Sequence, residues 1–251
     1  MAPLLQFAPW LLPPGANPLF HLWLPLAAAA LALLAQARVK STFARWSRTA
    51  TRSGLTGAEV AELLLRSRGI ADVRVEPVRG LLSDHYDPRS RTLRLSEQVY
   101  GSRSIAALGV AAHEAGHALQ HADAYAWLTL RSRLVPVVAI GSTIGGWLFP
   151  IGVMVALASQ NAFGQMLLFV AALGFAAVVL FSLVTLPVEI DASRRALSLL
   201  SNSGVLVGAE QDGARAVLRA AAWTYVAAAA AAIVELLKVL ALLAQTRRRE
   251  S

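Results

Sequence analysis

Apolar and polar positions divide the chain into four stretches. Leu19 to Ala37 is almost wholly apolar, long enough to cross about 30 Å of hydrocarbon as a helix. From Arg38 to Arg133 charged and apolar positions mix at helix and strand periods. From Leu134 to Val188 there is no Asp, Glu, Lys, Arg or His. The remainder, 189–251, opens on Glu189 and closes on Arg247-Arg248-Arg249 near the end. The expected organisation is an N-terminal segment with a first span (1–37), a catalytic unit (38–133), a membrane hairpin (134–188), and a helical pair (189–251).

Local signals subdivide these stretches. Thr56-Gly57-Ala58-Glu59 is a capping box, in which the Thr hydroxyl and the Glu carboxylate each satisfy a free backbone N–H, and Gly69 is a helix stop. Val73 and Val75 alternate with polar neighbours as in a half-buried strand. Asp87-Pro88-Arg89-Ser90 reads as a turn, and Thr92 to Leu95 as a second strand. The spacing predicts a helix from about Ser104 to His121. Helix and antiparallel strands together make a small α+β unit. In the uncharged stretch, spans from Leu134 to Ala158 and from Gln165 to Pro187 are separated by a polar patch at Ser159–Gln165. Gly145-Gly146 and scattered alanines suit close helix packing there. Glu189 to Leu200 reads as a separate helix, broken at Ser201–Gly204. Ala214 to Ala244 is a further helix, with Glu235 and Lys238 at a pairing distance.

Composition fixes the class. The chain has 251 residues, 56% hydrophobic and only 15% charged, against roughly a quarter charged in soluble domains. With a mean hydropathy of +0.54, this describes a mainly α-helical membrane protein carrying a small polar unit. Residues 1–18 contain five prolines and no Lys or Arg, so a cleaved signal peptide is not expected. Arg38, Lys40, Arg45, Arg48 and Arg52 precede the first acid after the span, Glu59. The positive-inside rule then places the N-terminus outside and the polar unit in the cytoplasm, at the inner membrane. Two hairpin crossings return the chain to that side, where Arg131, Arg133, Arg194 and Arg195 flank the ends. A crossing by the last helix would leave Arg247–Arg249 outside, so packing on the catalytic unit or the interface is favoured over a span. The net charge of +8 reads as orientation signals and contact with anionic lipid. No basic–aromatic platform supports a nucleic-acid partner. A regulatory membrane partner or a homo-oligomer is left open.

The chemistry centres on Ala111-Ala112-His113-Glu114-Ala115-Gly116-His117-Ala118-Leu119. On a helix, residues four apart lie about 40° apart and one turn up, so His113 and His117 offer two imidazoles to one metal ion. Glu114 projects round the helix, where it reaches a water rather than the metal. That is the pattern of a zinc hydrolase. With no cysteine in the chain, disulfides, thiolate ligands and a Cys nucleophile are excluded. A catalytic zinc takes three protein ligands. Candidates for the third are His121, which a straight helix places two turns from His113; His85, in Asp84-His85-Tyr86-Asp87-Pro88; Asp191; and Glu189. Glu189 is preferred because it follows Pro187 where the hairpin returns. His85, Tyr86, His121 and Arg194 are candidates for contacting substrate or its oxyanion, and Asp191 and Ser193 for supporting the ligands. The Leu93–Leu95 strand is expected to offer an edge to an extended peptide.

These motifs, with Leu93-Arg94-Leu95-Ser96 and Leu186-Pro187-Val188-Glu189 followed by Asp191-Ala192-Ser193, resemble the YugP-type neutral zinc metallopeptidases, bacterial membrane proteins. The resemblance covers nearly everything after the first span. It implies a gluzincin-like core, distantly similar to the heat-shock membrane metallopeptidases and the CAAX prenyl endopeptidases, with one zinc held by His113, His117 and Glu189 and with Glu114 as general base. Many gluzincins carry an Asp four residues after the third ligand; here that position is Ser193. The implied function is hydrolysis of peptide bonds in membrane or juxtamembrane proteins. The rival readings are a catalytically silent zinc scaffold, which has no use for Glu114, and a transporter, which the lack of ionisable groups in 134–188 argues against.

Overall fold

The computed structural model describes residues 22–159 and 162–248. The proline-rich start, His21 and two residues of the polar patch, Gln160-Asn161, lie outside these residues. The protein is mostly helical with one small sheet. It forms two compact units, one drawn from Met1–Leu33, Arg131–Leu183 and Val226–Ser251, the other from Leu34–Leu130 and Val184–Tyr225.

The second unit carries the polar chemistry. It holds the end of helix α1 (Leu24–Trp46), then α2 (Gly57–Ser67), strands β1 (Arg74–Val78), β2 (His85–Asp87) and β3 (Thr92–Ser96), the short α3 (Glu97–Tyr100) and α4 (Ile105–Ala122). The capping box forms as expected: the Thr56 side chain accepts from the Glu59 N–H, and the Glu59 carboxylate accepts from the Thr56 N–H at 2.7 Å. Gly69, at φ +71, lets the chain leave α2 in a conformation that L side chains rarely adopt. Ser104 caps α4 by accepting from the Ala107 N–H at 3.2 Å.

The sheet corrects one expectation. The strand order is β1-β3-β2, with β1 parallel to β3 and only β2 antiparallel to it. The central strand is therefore β3, paired on both sides. Leu93 to Leu95 cannot be an edge for an incoming peptide, because its backbone groups are already used. The fully buried Leu93 and Leu95 pack with Val60, Leu64, Leu65, Leu108 and Ala112 into one core between the sheet, α2 and α4. Burying each such leucine contributes about 2 kcal/mol, so this core fixes α4 firmly against its neighbours.

The remaining helices are α5 (Ala126–Ser159), α6 (Ala162–Asn202) and α7 (Ala209–Arg248). All three are long and apolar enough to cross a membrane. The described part of α1 is not among them, since Arg38, Lys40 and Arg45 occupy its second half. Pro187 does not separate a span from a following helix: α6 runs continuously through it to Asn202. The cost is limited to one missing N–H and a local adjustment, which a long helix packed on neighbours accommodates. In the first unit, α5 and α6 meet through glycine. A Cβ at Gly174 would lie 2.4 Å from the Gly141 carbonyl oxygen, and one at Gly145 3.2 Å from that of Ala171. Gly146, expected to share this role, faces open space. Glu235 and Lys238 pair along α7 as expected.

Candidate metal and catalytic site

Within the second unit, α4 crosses the segment of α6 that begins at Val184, and the two approach through Gly116. A Cβ there would meet the Ala192 carbonyl oxygen at 2.6 Å, so only glycine permits this contact. The consequence falls on the flanking residues. His113 and His117, on either side of Gly116, face Glu189 of α6. Glu189 Oε2 lies 3.2 Å from His113 Nε2 and 3.6 Å from His117 Nε2. The imidazole rings are nearly perpendicular, at 81°, with centroids 4.8 Å apart.

The three donors lie within 4.8 Å of one another, as two imidazoles and a carboxylate sharing one cation require. Burial supports the same reading. Glu189 is 2% exposed and Glu114 7% exposed. Two carboxylates so close and so buried would repel each other and lose their hydration unless a cation stood between them. The donor set is nitrogen and oxygen without sulfur, which zinc accepts in hydrolytic sites. The site therefore fits zinc.

Each imidazole is held from behind. His117 Nδ1 lies 3.0 Å from Gln120 Oε1. The Gln120 amide nitrogen donates to the Val188 carbonyl at 2.8 Å and to Asp191 Oδ2 at 2.8 Å. Those two acceptors fix which way round the amide lies, so its oxygen faces His117. Nδ1 must then carry the hydrogen, leaving the Nε2 lone pair free on the side of Glu189. His113 Nδ1 lies 3.3 Å from Ser193 Oγ, which supports the same orientation. Asp191 is tied in turn to Arg195 at 2.6 Å, and Arg195 also pairs with Asp123.

Electrostatics follow from burial and these neighbours. Burial pushes the Glu114 carboxyl up from its ordinary value, against the opposing pull of His113 and His117. For His117, burial alone pushes the imidazole down, but the adjacent Glu189 carboxylate, 3.6 Å away, and the charge of Glu114 outweigh it, and the net shift is upward.

A cavity of about 410 Å³ opens beside the site. His113, Glu114, Glu189 and Ser193 line one side, and Val39 and Phe43 of α1 with Val217, Leu218 and Ala221 of α7 line the apolar remainder. Four candidates for contacting substrate stand elsewhere. Tyr86 and His121 bond each other at 2.8 Å, and neither lines the cavity. Burial, with the Asp87 charge adding, pushes the Tyr86 hydroxyl up to about 12, so it stays protonated. His85 is exposed, with Nδ1 2.8 Å from the Ser83 carbonyl oxygen. Arg194 is exposed on α6, one position round from Arg195, which makes the ion pairs. His121 lies two turns along α4 from His113, and the group whose donor atoms converge is His113, His117 and Glu189.

Gln120 and Gly116 are the residues that sequence reasoning left without a role. The signal for Gln120 is its place three residues after His117 on the same helix face, and for Gly116 its smallness between two candidate ligands.

A pair of histidines four apart on one helix, one buried and one half-buried, closed by a buried glutamate from a second helix of a chain with three helices apolar enough to span a membrane, defines a membrane-type protein with a candidate metal site. The chain belongs to a known family of that kind: residues 21–244 match the family described as "Putative neutral zinc metallopeptidase". It is 46% identical over 220 residues to the "Putative membrane protease YugP" of Bacillus subtilis strain 168, covering 88% of this chain and 95% of that protein. No solved structure matches it.

Proposed function

We propose that the protein is a membrane-bound zinc endopeptidase, with His113, His117 and Glu189 as metal ligands and Glu114 as the general base. The observation that carries this reading is the convergence of two Nε2 atoms and one carboxylate at the wall of a cavity that also presents Glu114. Zinc held there would supply Lewis acidity, making a water acidic enough to deprotonate near neutral pH and polarising a substrate carbonyl. Glu114 takes one proton from the attacking water at a carboxylate oxygen. The carbon–oxygen bond forms at the carbonyl and the carbon–nitrogen bond breaks. Glu114 then returns the proton to the departing amine. In the metal-free protein burial raises the Glu114 carboxyl, and a more basic carboxylate takes a proton from water more readily. Ser193 and Gln120 keep the two imidazoles turned the correct way.

The cavity walls support a reading of where the substrate lies. Gln36 of α1 directly follows the apolar run 24–35, Glu189 follows the uncharged stretch ending at Val188, and Tyr225 of α7 precedes an alanine-rich run. All three line the cavity. These positions support peptide bonds close to the cytoplasmic membrane surface as substrates, in membrane proteins or their adjoining loops. Among the described strands, β1 and β2 each pair only with β3, so an extended chain could add at either of their outer edges but not at β3.

The test is Glu114→Gln. The variant should bind zinc as the wild type does and lose cleavage of a membrane-anchored test protein by at least 1,000-fold, on the order expected when a proton-transfer group and its charge are both removed. Cleavage at the wild-type rate would falsify the role given to Glu114. A zinc scaffold without activity would show the same metal content for both proteins and no cleavage by either.

A further inference from the structure

Outside the metal site, the segment between β1 and β2 displays an apolar pair on an otherwise polar surface. Leu81 is 72% exposed and Leu82 47% exposed. The turn that carries them is built, not slack. Ser83 Oγ donates to the Arg79 and Gly80 carbonyls, each at 3.1 Å. His85 Nδ1 holds the Ser83 carbonyl at 2.8 Å. Gly80 sits at φ +110 and Leu82 at φ +53. A leucine rarely adopts that conformation, and it persists only where the surroundings determine it. The result is two adjacent leucine side chains held outward, a display that has no stabilising value in water.

We propose that the Leu81–Leu82 turn is an interfacial anchor that immerses in the surface layer of an anionic lipid bilayer, so that the mouth of the cavity opens toward lipid. Two further observations select lipid as the occupant. Leu82 lines the cavity together with Gln36, Val39, Lys40 and Phe43 of α1, and the sequence becomes wholly apolar immediately before Gln36, with Leu34 exposed in the same unit. The apolar turn therefore borders a wall built on the helix whose sequence turns apolar next to it. The second is charge. Arg79 and Lys40, both exposed, flank the leucines and make no ion pair among the described residues. Leucines between cations are the pattern of a segment that lies in an interface, with apolar groups below the headgroups and ammonium or guanidinium groups among their phosphates. This inference deepens the membrane-peptidase reading, naming how a lipid-embedded substrate would reach the site.

The chain contains no cysteine, so a single Leu81→Cys substitution accepts one nitroxide label at a known place. The full-length labelled protein is reconstituted in phosphatidylethanolamine–phosphatidylglycerol vesicles. Its power saturation is then read by electron paramagnetic resonance with oxygen, which concentrates in lipid, and with a nickel chelate, which stays in water. A label at Arg68→Cys, exposed at the end of α2, provides the aqueous reference, and circular dichroism checks the fold of both. The proposal requires oxygen accessibility at position 81 to exceed nickel accessibility severalfold, with the reverse at 68. Greater nickel accessibility at 81 would overturn it. So would exclusion of both reagents, which would mean that protein covers the turn. The readout needs neither zinc nor cleavage, so its failure leaves the peptidase reading standing.

Discussion

The imidazole of His117 and the amide of Gln120, one turn apart on α4, are joined at 3.0 Å in the interior. The amide is fully buried; its oxygen faces the imidazole and its two N–H groups donate to the Val188 carbonyl and Asp191. In the proposed site, this glutamine would set which nitrogen of His117 faces the metal. Gln120→Leu keeps the volume and removes the acceptor, leaving the Val188 carbonyl and Asp191 short of a donor. Zinc affinity is expected to fall by about 10- to 100-fold, the usual cost of losing such a partner, and stability by about 1–3 kcal/mol. Competition with a chelator of known affinity measures the first and denaturant unfolding the second. Native zinc affinity in the variant would remove Gln120 from the site.

Gly116 sets the distance between the two helices. In Gly116→Ala the new methyl would lie 2.6 Å from the Ala192 carbonyl oxygen, and both are backbone-bound positions that cannot swing aside. Either α6 backs away or the core around it strains, at about 1–3 kcal/mol. Because Glu189 and Ser193 flank Ala192 on α6, zinc binding is expected to weaken by more than tenfold. Gly109→Ala is the comparison: its methyl would meet Ala214 at an ordinary 3.5 Å, and metal affinity should stay within about twofold. Equal effects of the two substitutions would show that helix spacing at 116 has no special bearing on the metal.

The His117 shift gives a dependence on pH whose sign can be worked out. In the metal-free protein its imidazole is raised above 6.5 by Glu189 and Glu114. The stability contributed by that protonated ring is fully present below 6.5 and is lost as pH rises through the higher folded value. Burial raises Glu114 as well, so its contribution has the same sign. Zinc binding must displace the proton on His117. Affinity should therefore climb with pH up to the raised value and level off above it, while the metal-free protein loses stability over the same window. The zinc-induced gain in Tm should widen as pH increases. A gain that is constant, or that narrows, would place the proton elsewhere.

Much of this was legible in the chain because the relevant signals are local. The box at Thr56–Glu59 and the stop at Gly69 each need only three or four consecutive residues, and each appears where the pattern puts it. The pairing of His113 and His117 follows from helix geometry alone. Sheet pairing is a different problem. Three short strands do not reveal whether β1 lies beside β2 or passes to the far side of β3, since alternation gives the faces of a strand but not its neighbour. Pro187 misled for a related reason: a proline ends an isolated helix, but α6 is supported by packing on both sides of it. His121 and Tyr86 carry chemistry-bearing groups, yet they satisfy each other away from the cavity. Only coordinates reveal that kind of mutual satisfaction.

The third ligand is where the account is most exposed. Purified full-length protein should hold one zinc, and X-ray absorption should resolve two nitrogen and at least one carboxylate oxygen neighbours at about 2.0–2.2 Å. In Glu189→Gln the carboxylate contribution should vanish and zinc affinity drop by at least 100-fold, about 2.7 kcal/mol. An unchanged absorption spectrum with native affinity in Glu189→Gln would contradict the site assembled here from α4 and α6.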